Sequence, residues 1–197
     1  MTLGSSNIFS NDMNEVFNLK KITDVDNSIN VTFEHMGLLV KEIRDSLERT
    51  LNALYEQNAY ALRTEKRRSK RIQRWSNIIS ANIFKTMRLM EQNNIKIPSK
   101  YSNAIRRLQR LVDGHRDIAL RSHIHVSNHH KGLLEVQASE LKKAQKLLIS
   151  MLADLETAFS SKDLSMCKSI SQQSKELGVL SDELNEEQAS RIRSEES

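Results

Sequence analysis

Between Phe33 and Leu54, apolar side chains return every third or fourth residue: Phe33, Met36, Val40, Ile43, Leu47, Leu51 and Leu54. That spacing lays one stripe along a 3.6-residue helix, and the stripe needs a partner surface to cover it. The pattern recurs down the chain. Ile72, Trp75, Ile79, Ile83, Met87 and Met90 form a second seam with Phe84 beside it, and Tyr101, Ile105, Leu108, Val112, His115, Ala119 and Val126 form a third. Leu134, Ala138, Leu141, Ala144, Leu148, Met151, Leu155 and Phe159 form a fourth. Ile170, Leu177, Leu180 and Leu184, with Ile192 beyond them, form a fifth. The 197 residues hold one proline and five glycines, so breaks are few and elements long. These constraints predict an all-α fold, an antiparallel bundle of five helices joined by short links.

Local signals suggest where the helices begin and end. Residues 1–29 are polar, rich in Asn, Asp and Ser, and read as a flexible lead-in with one short helical turn around Asn14–Lys20. Asn30 is the expected N-cap of the first helix, with Glu34 in its first turn. A break is expected near Gln57-Asn58. The second helix then runs from about Ala59 to Asn94, on the order of 50 Å at 1.5 Å per residue. Asn93-Asn94 followed by Pro98-Ser99 marks a link, since helix is disfavoured just before proline. Gly132 is the expected left-handed end of the third helix, and Ser160-Ser161-Lys162-Asp163 turns the chain into the fifth. The chain thus divides into the lead-in, a three-helix unit over residues 30–131 and a helical hairpin over 132–197. The hairpin's stripes along Leu141–Phe159 and Ile170–Leu184 stay open unless the first unit or another chain covers them. A protein partner or a homo-oligomer is therefore expected.

Cys167 is the one cysteine, so no intrachain disulfide can form, which fits a reducing cytoplasm. It lies near a helix seam and is expected in the core rather than as a nucleophile. Met1 to Ser10 lacks the basic-then-apolar order of a signal peptide. No apolar run approaches the roughly 18 residues needed to cross a bilayer.

Charge is unevenly placed. Residues 1–62 carry 5 basic and 9 acidic groups, residues 63–131 carry 17 and 4, and residues 132–197 carry 8 and 12. A basic middle third lies between two acidic segments, suited to an anionic partner. Its densest part is Arg63, Lys66, Arg67, Arg68, Lys70, Arg71 and Arg74, which surround almost the whole cylinder of the second helix. A helix end charged on every side is expected to project or to face an anion, either an anionic membrane leaflet or an acidic protein. Nucleic acid is disfavoured, because no aromatic residue is interleaved to stack on bases. The bland alternative is a solvated helix extension.

Asp113 and Asp117 stand four apart, so their carboxylates share one helical face. With His115 between them they form a candidate site for a divalent or trivalent metal ion, once a second helix adds ligands. The structural alternatives are a solvated carboxylate pair neutralised by Arg116 and Arg121, and a hydrogen-bonded core histidine. His123, His125, His129 and His130 do not share one face and read as helix-end residues. A Gly-rich phosphate loop, a nucleophile elbow, HExxH and paired Glu-x-x-His motifs are all absent from the sequence. The chain is expected to bind and regulate rather than to catalyse.

The stretch Leu111-Val-Asp-Gly-His-Arg-Asp-Ile-Ala-Leu resembles the third helix of a PhoU-like repeat, whose Glu/Asp-x-x-x-Asp signature matches Asp113 and Asp117. Over residues 50–193 the chain is similar to the cytosolic C-terminal extension of bacterial PiT-type phosphate permeases. The likeness is carried by Leu51-Asn-Ala-Leu-Tyr-Glu-Gln, by residues 70–85, by Gly114-His-Arg-Asp-Ile-Ala-Leu-Arg and above all by His125-Val-Ser-Asn-His-His-Lys-Gly-Leu-Leu. The resemblance implies a non-catalytic, cytoplasmic regulatory module of inorganic phosphate transport. Such a module would be peripheral at the inner face of the cell membrane and would partner a membrane phosphate permease or its own missing transmembrane part. PhoU proteins carry two acidic signatures on two three-helix repeats, whereas this chain shows one signature and a second unit stopped after two helices. The alternative is a helical scaffold or nucleic-acid-associated protein using the basic central segment.

Overall fold

A computed structural model of the protein describes residues 25–93, 99–161 and 165–194. The described residues form five helices and no strand: α1 (Val25–Tyr55), α2 (Ala59–Gln92), α3 (Ser99–Ser127), α4 (Glu135–Ser161) and α5 (Met166–Arg193). The expected all-α bundle is what the chain forms. The lead-in up to residue 24, with its turn around Asn14–Lys20, and Lys162-Asp163 of the last link lie outside the described residues.

Helix α1 is the hub, touching α2, α3 and α4, while α2 also touches α3 and α5 touches only α4 among the described residues. Side-chain pairs give the directions. Ser28 meets Thr86, Glu42 meets Arg68, and Ser46 meets Glu65, so α2 runs antiparallel to α1. Tyr55 meets Gln145 and Arg44 meets Glu156, so α4 does the same on another side of α1. Gln137–Gln188 and Gln173–Asp154 set α5 antiparallel to α4.

One apolar core joins these elements. Leu39, Val40, Ile43, Leu62, Ile72, Ile79, Ile83, Val112 and Leu152 are essentially sealed from solvent. Leu152 of α4 lies in the same cluster as the α1–α3 residues. The boundary at 131/132 therefore divides the chain but not the core. The stripe on α4 expected to be open is covered by α1, with Leu141, Leu148, Leu155 and Phe159 packed against the cluster.

Two boundaries and one burial differ from the sequence expectation. Helix α1 starts by Val25, and Asn30 sits inside it rather than capping it. Its first turns are held by small polar side chains: Thr32 Oγ1 donates to the Ser28 carbonyl, and Ser28 Oγ meets Thr86 Oγ1 across the interface. An apolar-spacing criterion cannot see such contacts. At the end of α3 the left-handed residue is His129 (φ 55°), not Gly132. His130 N–H reaches the His125 carbonyl and His129 N–H the Val126 carbonyl, a complete Schellman closure. Gln57 (φ 52°) closes α1 the same way, and Asn58 then caps α2 by accepting from the Ala61 amide. The break at Gln57-Asn58 stands as expected. Finally, Cys167 is exposed rather than in the core, because α5 has a single neighbour to pack on.

Candidate functional site

The basic run at the start of α2 was expected to be charged all round. In the structure one side of it is buried: Leu62, Glu65, Ser69 and Ile72 face the bundle. Glu65 is the one acid among seven bases between Arg63 and Arg74. It is sealed, and it organises a network across three helices. Ser46 Oγ of α1 donates to Glu65 Oε2 at 2.7 Å, and Arg49 Nε donates to Glu65 Oε1 at 2.9 Å. Arg68 turns inward to Glu42 at 3.2 Å, with Glu65 at 3.7 Å. Arg68 thus does not belong to the solvent-facing patch. Arg63, Arg67, Lys70, Arg71 and Arg74 are exposed, and Lys66 is half-buried.

His115 enters this network from α3. It is buried, and its Nε2 lies 2.9 Å from Ser46 Oγ. Ser46 has one proton and gives it to Glu65, so it accepts from Nε2–H, which makes His115 the Nε2-protonated tautomer. Burial pushes the His115 pKa down to about 4, with Glu65 opposing and Arg49 assisting. The imidazole is therefore neutral at pH 7, and the two acids Glu42 and Glu65 balance Arg49 and Arg68. Among the described residues, His115 Nδ1 and Arg68 Nε are buried with no hydrogen-bond partner. The order Glu–Ser–His places the hydroxyl between the acid and the imidazole, and Ser46 is fully sealed. A nucleophilic serine needs the imidazole in the middle and an open hydroxyl. The network is a structural clamp.

The proposed metal ligands do not converge. His115 points into the bundle, whereas Asp113 and Asp117 lie on the exposed side of α3, each carboxylate about half open. Arg116 stands between them at 3.5 and 3.8 Å. Two residues along a helix is a turn of about 200°, which separates His115 from both acids. Among the described residues no three His, Cys, Asp or Glu side chains come together as a metal site.

The segment His125–Leu134 forms a built corner. His125 Nε2 lies 3.1 Å from the Lys131 carbonyl, and its ring stacks on His130 with centroids 5.3 Å apart. Gln137 reaches back to accept from the Leu134 amide at the start of α4. Gly132 packs toward Gln57, so this corner rests on the α1–α2 corner. Nearby, His123 has its pKa lowered first by burial and then by Lys66 and Arg63, a sign of positive potential where α2 begins beside the end of α3.

A groove of about 430 Å³ runs along α1 between α3 and α4. Phe33, Met36, Val40, Leu108, Leu111 and Phe159 supply its apolar walls, and Arg107 is the one charged side chain lining it. The network residues Glu42, Ser46, Arg49 and Glu65 were not singled out from the sequence. The signal that could have found them is Glu65 itself, since a lone acid inside a basic run calls for a specific partner.

No protein-family model, curated protein or solved structure matches this chain.

Proposed function

We propose that the protein is a non-catalytic, PhoU-like helical module of an inorganic phosphate uptake system, acting by binding a membrane permease. The reading starts from the sequence resemblance, most specific in residues 125–134. The observation that carries it furthest is that this segment is a closed corner pinned by His125, His130 and the left-handed His129. An unusual run of residues that also builds a defined surface is suited to presenting a fixed face to a partner. Helices α1, α2 and α3 pack on one another, which a PhoU-like three-helix unit would require. Among the described residues no helix is long and apolar enough to cross a membrane, so a permease would have to be a separate segment or a separate chain. In this proposal the module works at the cytoplasmic face, and it alters transport through binding rather than by chemistry on phosphate.

The test is co-purification with a phosphate permease from the native cell, together with phosphate uptake after deletion of the module. Association with the permease and a changed uptake rate are expected. Unchanged uptake, with no permease bound, would sink the proposal.

A further inference from the structure

We propose that the outward face of α2 is a docking surface for an anionic lipid leaflet. This goes beyond the phosphate-uptake reading, because it assigns a ligand to a face of the helix and requires no permease.

The bundle divides α2 lengthwise. Leu62, Glu65, Ile72, Ile79, Ile83 and Met90 face inward and hold the helix rigidly. Arg63, Arg67, Lys70, Arg74, Lys85 and Arg88 are exposed, and at 3.6 residues per turn they fall on an arc of about 60°. From Arg63 to Arg88 this stripe is roughly 38 Å long. No exposed acid interrupts it, because Glu65 is buried in the clamp and the next acid of α2 is Glu91.

Two large side chains that belong in a core stand out along the same face: Tyr60 is 83% exposed and Phe84 is 53% exposed. They lie about 36 Å apart along the helix, Tyr60 just before the cationic run and Phe84 between Arg74 and Lys85, one on each lateral edge of the stripe. Cations flanked by aromatic anchors match a leaflet, where Lys and Arg meet anionic headgroups and aromatic rings settle at the interface. Single-stranded nucleic acid calls for aromatics interleaved with the cations along a groove, whereas this stripe lies along the outward side of one helix. Because the helix is already fixed by its buried face, docking orders little new backbone.

The experiment is co-sedimentation of the full chain with vesicles. Vesicles of neutral phosphatidylcholine are compared with vesicles containing roughly a third phosphatidylserine, at low and raised salt. Binding to the anionic vesicles only is expected, weakening at least about tenfold as salt screens the stripe. The triple variant Arg63→Glu/Arg67→Glu/Arg74→Glu should lose at least about tenfold, with helical circular dichroism retained because all three side chains are exposed. The control Lys142→Glu/Lys143→Glu/Lys146→Glu makes the same change in net charge on α4 and should change binding less than about threefold. Phe84→Ala should weaken binding by a few-fold. Equal loss in both triple variants, equal binding to neutral vesicles, or capture by single-stranded RNA with none by anionic vesicles would each overturn the proposal. Vesicles contain no permease, so failure here leaves the phosphate-uptake reading to its own test, and success here does not support it.

Discussion

Helices α1 and α5 are of similar length, 31 and 28 residues, yet they occupy opposite ends of the packing range. Helix α1 buries side chains on three sides, from Leu39 and Ile43 to Ser46 and Thr50. No described residue of α5 is buried. Both carry a helical apolar period, so propensity and pattern do not explain the difference. The number of neighbours does: α1 has three and α5 has one. Helix α5 is held by the half-buried Ile170, Leu177, Leu180 and Leu184, and by Arg191, which grips Glu140 with two bonds of 2.7 Å. A helix with one partner lies at the low end of local stability, and one at the hub unfolds only with the whole bundle.

The largest effect should come from the hub. Leu39→Ala empties a sealed position and is expected to cost about 2–5 kcal/mol in urea unfolding, whereas Leu180→Ala on α5 should cost under about 1 kcal/mol. Equal costs would break the comparison. Next is the polar clamp, where Glu65→Ala removes the acceptor of Ser46 and Arg49 inside a sealed site, leaves Arg68 to Glu42, and should destabilise by about 1–3 kcal/mol.

The same clamp carries a pH dependence. The folded pKa of His115 is pushed down to about 4 from an ordinary 6.5, so the unfolded chain binds the extra proton between those values. The stabilisation is complete above pH 6.5 and drains away as pH falls toward 4, by about 3 kcal/mol in all. Unfolding curves from pH 7 to 4.5 should show this slope in the native chain and a shallower one in His115→Leu, where His35 and His123, also lowered by burial, still contribute.

Smaller effects sharpen the other end. Arg191→Ala removes the two-bond grip on Glu140 and should speed amide exchange in α5 by a local loss of about 1 kcal/mol, leaving α1 unchanged. If α1 exchanges faster too, α5 is part of the global unit. The smallest effect is a gain: His129 holds a left-handed backbone that costs a side-chain-bearing residue energy, so His129→Gly should stabilise by up to about 1 kcal/mol. A loss there would mean that the stacked corner depends on the His129 side chain.

What the amino-acid sequence determined by itself was the class of fold and the inward line of each helix. Periodicity is a local property, and Ile43, Ile79, Leu108 and Val112 are buried where their spacing places them. The break at Gln57-Asn58 was legible because it interrupts that period. Only the tertiary structure decided which polar residues go inside. Ser28, Ser46, Glu65 and Thr86 are buried because partners on other helices satisfy them, and no local pattern encodes a partner 16 to 58 residues away. The same limit explains the candidate sites. Asp113, His115 and Asp117 are adjacent in the chain, but helix geometry and the Ser46 hydroxyl send the imidazole inward and leave the carboxylates to Arg116. Seven bases on one cylinder suggested a uniformly charged rod. Burial of Glu65 with Arg68 turned inward makes it a two-sided helix with a structural inner face and a cationic outer one.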